Sequence, residues 1–325
     1  MNKKKKYGWL IVNHFLQTDK FNEIYRWLLV SAEKFDCELK LLTNAELLSF
    51  MSDEQLTVLT SPTLSTESVF LEQRPDFVLF WDKDIQLAHT LEQLGFRLFN
   101  RADAVAACDD KSVTFMRLSA LNHTLSFNKE TPPLFPMPKT ILAPMTYENI
   151  GYREDVSFLN QVELQLTYPM VIKECFGSFG AQVYLAQDRS EAEQTITQCA
   201  GRPLLFQQFV KSSYGRDLRL QVVGGQVVAA MLRTHDADFR ANITNGGKMS
   251  TYVPSPEACL LAIRVCEALQ LDFAGVDLLF GEHDEPILCE VNSNAHFKNI
   301  HTCTGVNVAD KIMEHIIKEI YQEEA

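Results

Sequence analysis

The chain has 325 residues and a net charge of −12, from 42 acidic against 30 basic side chains, which argues against broad nucleic-acid binding and against adhesion to anionic membranes. A hydrophobic content of 46% and a charged content of 22% are those of a globular protein with room for about two or three small domains. The eight cysteines are scattered, with no C-x-x-C pair and no zinc-type spacing, so reduced and mostly buried thiols in a cytoplasmic protein are expected. The start, KKKKYGWLIVNHFL, imitates a signal peptide, but Asn13 and His14 interrupt the apolar run and no small-residue cleavage site follows. It reads as a first strand with a basic leader.

Taken in order, Tyr7 to Val12 is a strand, Lys20 to Phe35 has apolar residues at helical spacing, and Cys37 to Leu42 is a second strand. Residues 43–70 carry no clear pattern. Pro75 to Trp81 reads as a buried strand, Ile85 to Leu94 as a helix ended by Gly95, and Phe96 to Phe99 as a short strand. Strands alternating with helices imply an open, largely parallel sheet. The first strand is not followed by a dinucleotide-type glycine fingerprint, so no nucleotide is assigned there.

Ala102 to Asn122 is expected as one helix, followed by a proline-rich stretch with Pro132, Pro133, Pro136 and Pro138, a stiff extended connector. A second unit follows: a helix over Val156 to Leu166, a strand from Tyr168 to Glu174, the glycine loop CFGSFGAQ, a strand at Val183 to Ala186, a helix over Arg189 to Cys199 and a strand at Leu204 to Val210. A third unit opens near Arg216 with a strand, a Gly224-Gly225 turn and a second strand. A polar loop, THDADFRANITNGGK, leads to a helix over Ser255 to Gln270 with Pro256 near its start. The division expected from these patterns is 1–104, 105–206 and 207–325. An amphipathic helix over Val306 to Tyr321 closes the chain.

Between those last two helices lies LDFAGVDLLFGEHDEPILCEVN, a hairpin with a polar turn headed by Gly281. Three oxygen-bearing side chains break its apolar pattern: Asp277, Glu290 and Asn292. Residues two apart share a strand face, so Glu290 and Asn292 point together, and a hairpin brings Asp277 alongside. Two carboxylates and an amide in an apolar strand pair are costly without a positive partner, with a solvated hairpin carrying ordinary surface acids as the alternative. Hard oxygen ligands without thiolate or imidazole suit Mg²⁺. Elsewhere, Lys173 ends an apolar strand just before Gly177 and Gly180, where a lysine and backbone N–H groups can hold phosphates or simply form a turn. Arg240 and Asn242 lie in the polar loop. Asp217 and Arg219 alternate on one strand face, as an ion pair across a sheet would.

In order along the chain, Lys111, Lys173 with its glycine loop, Gln207-Gln208-Phe209-Val210, Asp217-Leu218-Arg219, Arg240-Ala241-Asn242, Asp277 and Glu290-Val291-Asn292 resemble the ATP-grasp superfamily. Within it, the spacing resembles the RimK-like carboxylate–amine ligases (α-L-glutamate ligase-like), over residues 100 to 318 or so. The resemblance implies an α/β ATP-grasp fold behind an N-terminal Rossmann-like domain, with ATP gripped between the second and third units. It implies phosphate contacts from Lys111 and Lys173, an adenine hinge at Gln208 and Phe209, nucleotide contacts from Asp217 and from Arg240, Ala241 and Asn242, and Mg²⁺, with Mn²⁺ as the alternative, on Asp277, Glu290 and Asn292. Arg240 and Lys173 are the implied catalytic groups. A carboxylate would attack the γ-phosphate to give an acylphosphate, which an amine then converts to an amide.

The implied partners are a small-molecule or peptide carboxylate and an amino acid such as glutamate; nucleic acid and membrane are not implied, and homo-oligomerisation stays open. A non-catalytic ATP-binding module and an enzyme passing the acylphosphate to another nucleophile are the alternatives. Three departures stand out. Gln208 replaces the usual hinge glutamate, Ala241 replaces a common serine, and Ser293-Asn294-Ala295-His296-Phe297 replaces Ala-Ser-Pro-Gly near the acceptor side. Arg233 is a candidate for the substrate carboxylate, with a surface strand-end arginine as the alternative. His235 and His296 are candidate bases, with solvated loop histidines as the alternative.

Overall fold

The computed structural model of the chain describes residues 5–60, 74–125, 133–152, 155–177, 180–199 and 201–323. Its first part runs β1 (Lys6–Val12), α1 (Asp19–Lys34), β2 (Cys37–Thr43), a hairpin of β3 (Leu47–Met51) and β4 (Leu56–Thr60), β5 (Phe77–Phe80), α2 (Ile85–Gln93) and β6 (Leu98–Phe99). The order β2-β1-β5-β6, paired parallel throughout, is the open sheet that strand–helix alternation implies. Both faces are covered. Leu10, Val12, Phe77 and Leu79 pack toward Ile24 and Leu28 of α1, while Ile11, Val78 and Phe80 pack toward Leu87 and Leu91 of α2. The β3–β4 hairpin left no readable pattern because Leu48, Phe50 and Leu59 are large, apolar and exposed.

The single helix expected over Ala102 to Asn122 is two: α3 (Ala102–Asp109) and α4 (Lys111–Leu125). Asp110 is extended, with φ −97° and ψ 105°, and its Oδ1 accepts from the Ser112 N–H at 2.8 Å and the Ser112 hydroxyl at 2.6 Å. An aspartate so placed caps a new helix rather than continuing the old one. The first part of the proline connector and Ser178-Phe179 of the glycine loop lie outside the described residues. Beyond Pro138, the chain forms β7 (Thr140–Leu142), an unexpected strand. Then come α5 (Leu159–Gln165), β8 (Met170–Glu174), β9 (Val183–Ala186), α6 (Arg189–Gln198) and β10 (Leu204–Gln208), in an antiparallel sheet of order β7-β10-β8-β9.

The third sheet has the order β13-β12-β11-β14-β15, all antiparallel. Its strands are β11 (Arg216–Val223), β12 (Gln226–Thr234), β13 (Lys248–Thr251), β14 (Phe273–Phe280) and β15 (Pro286–Asn292). β13 arises from the end of the segment read as a polar loop. The helices here are α7 (Pro256–Ala268), α8 (Lys298–Thr304) and α9 (Val308–Glu323). One sheet face, with Leu218, Leu220, Val276, Leu278 and Leu288, packs on α7. Ala104, Ala107 and Leu118, from α3 and α4, join that core, so the helices ahead of the proline connector pack with the third sheet. α9 packs with α1 in the core that joins the first and third sheets. No helix among the described residues is long and apolar enough to cross a membrane. All eight cysteines are free.

Candidate active site

Strand register gathers the polar residues of the third sheet on the face away from α7. Asp217 lies opposite Arg233, Arg219 opposite Asp277, Asp277 opposite Glu290, and Gly275 opposite Asn292. Directly paired residues share a face. Alternation from Leu288, which is fully buried in the α7 core, would turn Glu290 into that core as well. A β-bulge prevents this: Leu278 pairs with Leu288 but Asp277 pairs with Glu290, leaving Cys289 as the extra residue. The bulge swings Glu290 and Asn292 to the polar side.

Asp277 is buried and takes three charge-assisted hydrogen bonds. Arg219 donates from Nε to Oδ1 and from Nη2 to Oδ2, both at 2.6 Å, and Arg233 Nη2 lies 2.9 Å from Oδ2. Burial alone would raise its pKa, but Arg219 and Arg233 outweigh it and hold the carboxyl below the usual aspartate value. Arg233 also donates from Nε to Asp217 Oδ1 at 2.5 Å. For Asp217, burial dominates and, helped by the nearby Asp277 charge, raises the pKa against the pull of Arg233. Arg233 is 4% exposed, so it is not a surface strand-end arginine. The sequence motif that signals this network is the Asp217–Arg219 alternation. What it cannot reveal is that each residue's partner sits on a different neighbouring strand.

The second sheet supplies the opposite wall. Lys173 on β8 is buried, with Nζ 4.0 Å from the bulge residue's thiol, Cys289 Sγ. Lys111, also buried, donates to the Gly177 carbonyl at 3.1 Å and sits 3.5 Å from Glu290 Oε1. The helix break at Asp110 therefore delivers Lys111 to the glycine loop. The Gln208 N–H at the end of β10 donates to the Lys139 carbonyl at 2.8 Å. Arg240 binds Asp238 through Nε and Nη2 and donates from Nη1 to the Gly180 carbonyl at 2.9 Å and more weakly to that of Val183, tying its loop to the glycine loop. Gly180 has φ +73°, and a Cβ there would lie 2.6 Å from Asn242 Oδ1, so only glycine fits.

His235 is not placed as a base. Its Nδ1 accepts from the N–H groups of Ala237 and Asp238 at 3.0 and 2.7 Å, so Nε2 carries the proton and donates to the Asn245 carbonyl at 3.1 Å. The ring organises the loop. His296 meets the Phe21 ring edge-on at 4.6 Å. Burial first, then the Lys20 and Arg219 charges, lower its pKa from 6.5 to about 4. It is neither solvated nor poised near neutrality.

Two cavities result. The first lies between the second and third sheets, and its lining includes Lys111, Lys173, Phe209, Asp217, Arg240 and Ala241. The second, about 330 Å³, lies between the third sheet and the first part of the chain, and Lys20, Lys83, Arg219, His296 and Lys298 line it. Arg233, Asn242 and Glu290 line both. Lys20, Lys83 and Lys298 carry no local motif and were not singled out in the sequence. Among the described residues, no group of three or more His, Cys, Asp or Glu side chains could hold a metal, so any cation on this face depends on the Asn292 amide as well.

Residues 134–316 match the family model described as a RimK-like ATP-grasp domain. β-Citrylglutamate synthase B of Danio rerio is 30% identical over 301 residues, covering 91% of this chain and 69% of that protein. N-acetylaspartylglutamate synthase A of Homo sapiens is 33% identical over 236 residues, 72% of this chain and 56% of that protein. A probable α-L-glutamate ligase of Syntrophotalea carbinolica is 40% identical over 153 residues, 46% of this chain and 50% of that protein. Among solved structures, the RimK-domain ATP-grasp protein of Sphaerobacter thermophilus superposes with a TM-score of 0.66 at 20% identity, covering 95% of this chain and 98% of that one. The ATP-grasp ligase PsnB, in a complex with Mg and ADP, gives a TM-score of 0.63 at 13% identity, over 98% and 99% of the two chains. Matching over more than half its length and sharing the fold, the chain belongs to the RimK-like ATP-grasp family of carboxylate–amine ligases.

Proposed function

We propose that the chain joins an amino acid, glutamate in the first instance, to the carboxylate of a small molecule or peptide through an acylphosphate. The observation that carries this reading is the meeting of two cavities at Arg233, Asn242 and Glu290. A nucleotide in the first and a carboxylate in the second would react at that junction. Glutamate is favoured because the relatives' names carry it.

In the first step, an acceptor carboxylate oxygen bonds to the γ-phosphorus of ATP as the bond from phosphorus to the β-bridging oxygen breaks, releasing ADP. In the second, the amine nitrogen attacks the acyl carbon, the bond to phosphate breaks, and a proton leaves the nitrogen. Positioning and charge neutralisation account for most of such catalysis. Lys111 and Lys173 are proposed to face the phosphates as point charges. Arg240 is assigned to the same phosphates, and its existing bonds to the Gly180 and Val183 carbonyls also fit it to close the glycine loop. The hinge assignment narrows: with the Gln208 N–H already bonded to Lys139, adenine contacts fall to the backbone at Phe209 and Val210. Asp217 is assigned to holding Arg233 beside the nucleotide.

The oxygen set fits a hard divalent cation. Asp277 receives three N–H groups on roughly four lone-pair sites, leaving one for a metal. The Asn292 Nδ2 is buried with no hydrogen-bond partner, and the amide Oδ1, not this donor, would be the metal ligand. Glu290 and Asn292, with Asp277 across the ladder, would hold Mg²⁺ or Mn²⁺, which supplies charge neutralisation at the phosphates. The free cysteines and the need for ATP suit a cytoplasmic setting.

The test is ADP release from ATP and Mg²⁺ against amino acids, dipeptides and small acids, singly and in pairs. Release that requires both an acid and an amine is expected. ATP binding without release for any pair would remove the reading.

A further inference from the structure

The first cavity is bounded by the Gly180 end of the glycine loop, the segment that follows β10, and residues 235–247 beyond β12. These segments are tied to one another. The Gly215 N–H donates to the Phe239 carbonyl at 3.0 Å, and the His235 N–H donates to the Gly215 carbonyl at 2.7 Å. Gly215 has φ +61°, and a Cβ there would lie 2.2 Å from the His235 carbonyl oxygen, so the two segments cross at a glycine. Phe209 meets Tyr214 and Phe239 edge-on, with ring centres 6.3 and 6.2 Å apart. Arg240 makes the remaining tie, to the Gly180 and Val183 carbonyls.

The grip of Arg240 depends on where Asp238 stands. Asp238 accepts from the Arg240 backbone N–H at 2.9 Å as well as from its guanidinium. Those side-chain bonds hold the Asp238 carboxyl below the usual aspartate range, against its partial burial. Asp238 in turn sits on a turn built around the His235 ring. A single acceptor, Nδ1, takes the N–H groups of Ala237 and Asp238, while Nε2 reaches the Asn245 carbonyl. The far end of the loop folds back on itself. The Gly247 N–H donates to the Asn242 carbonyl at 3.2 Å, and a Cβ at Gly247 would lie 2.5 Å from the Ala241 carbonyl oxygen. The His235 ring thus spans the loop from its first turn to its last, with Arg240 between.

Resting on the ligase reading above, we propose that His235 is a positioning residue for the nucleotide's phosphates. Its Nδ1 sets the turn that places Asp238 against Arg240, and Arg240 so placed holds the Gly180 end of the glycine loop at the phosphates. His235 touches no substrate and acts only through Asp238 and Arg240. The two ring nitrogens do separate work, and two substitutions divide it. An asparagine Oδ1 stands where Nδ1 stands and accepts as it does; a glutamine Nε2 keeps the donor to Asn245 and supplies no acceptor at the Nδ1 position.

Calorimetry on the intact chain with Mg²⁺ tests this with two probes, an ATP analogue whose β–γ bridge cannot be cleaved, and AMP, which lacks the outer phosphates. His235→Gln should weaken the analogue by about tenfold or more and AMP by less than about twofold. His235→Asn should recover most of the loss. Arg240→Gln should weaken the analogue at least as much as His235→Gln does. Because His235 acts through Arg240, the double variant should be no weaker than Arg240→Gln alone. Unchanged analogue affinity in His235→Gln, an equal loss for AMP, no recovery in His235→Asn, or single losses that multiply in the double variant would each overturn the positioning role while Arg240 keeps its assignment. Unchanged analogue affinity in Arg240→Gln removes Arg240 from the phosphates, and the role of His235 with it. The expected losses without ADP release from any acid–amine pair support the positioning role and remove the ligase reading.

Discussion

Asp277 and Glu290 are opposite each other in the ladder, yet their surroundings give them different sensitivities. Asp277 is bound by Arg233, which is buried, and by Arg219, which is half-buried, so Asp277→Asn leaves Arg219 without its charge partner and Arg233 with Asp217 alone. A loss of about 3–5 kcal/mol is expected for breaking such a buried network. Glu290 is half-buried and has one long contact, 3.5 Å to Lys111. Glu290→Ala should cost about 1 kcal/mol or less while reducing ADP release to background. Urea unfolding beside ADP release separates the two cases. Normal turnover and Mg²⁺ dependence in Glu290→Ala would remove Glu290 from the metal site.

His296 gives a pH signature. Its folded pKa of about 4 lies below the ordinary 6.5, so the fold disfavours the proton. The contribution is complete above pH 6.5 and is lost as pH falls from there toward 4. Between pH 7 and 5 it amounts to about 2 kcal/mol. His296→Gln should therefore lose less stability than the parent over that interval, read as the urea midpoint at each pH. At this scale the oxygen triad was legible because polar residues stand out in apolar strands. The arginine partners were not, because Arg219 and Arg233 meet Asp277 only through the strand order β12-β11-β14, which no local pattern encodes. The bulge at Cys289 was equally silent, having no glycine or proline to mark it.

At the scale of elements, what was legible followed periodicity, and what was missed turned on single capping or pairing residues. α1, α2, α7 and the β14–β15 hairpin carry strong repeats and lie where the spacing puts them. The break between α3 and α4 rests on Asp110, a residue that also reads as an ordinary exposed helical acid. β7 is three residues long and exists because Ile141 and Leu142 pair with β10, so its signal is in the partner strand. α8 follows Phe297, inside the stretch read only as a departure from the family pattern. The Asp110 cap sets where Lys111, the proposed phosphate lysine, begins its helix. Asp110→Ala should cost about 1 kcal/mol and raise KM for ATP, with KM for the acceptor changed less. Thermal unfolding and ATP-dependent kinetics check it. An unchanged KM for ATP would mean that Lys111 does not face the phosphates.

At the scale of the whole molecule, the cavity proposed for the acceptor exists only because the first sheet is fixed against the third. α9 and α1 contribute an apolar seam, with Asp310 accepting from the Ser31 hydroxyl at 2.5 Å and from Lys34 at 2.9 Å. Asn100 makes the polar joint nearest the cavity. It is fully buried just after β6. Its Nδ2 donates to the carbonyls of Phe273 and Ser293, and its Oδ1 accepts from the N–H groups of Asp272, at 2.7 Å, and Phe273. One side chain thus satisfies the start of β14 and the start of the segment that carries His296. Asn100→Ala would leave buried backbone groups without partners, at roughly 1–3 kcal/mol for the joint. The Asn100 bonds engage neither the second sheet nor the glycine loop, so nucleotide affinity should hold while the proposed acceptor wall loosens. The expected result is a KM for the acceptor raised about tenfold or more with KM for ATP within twofold, alongside a lower unfolding midpoint in urea. A parallel rise in both constants would mean that the joint sets the whole cleft rather than the acceptor wall.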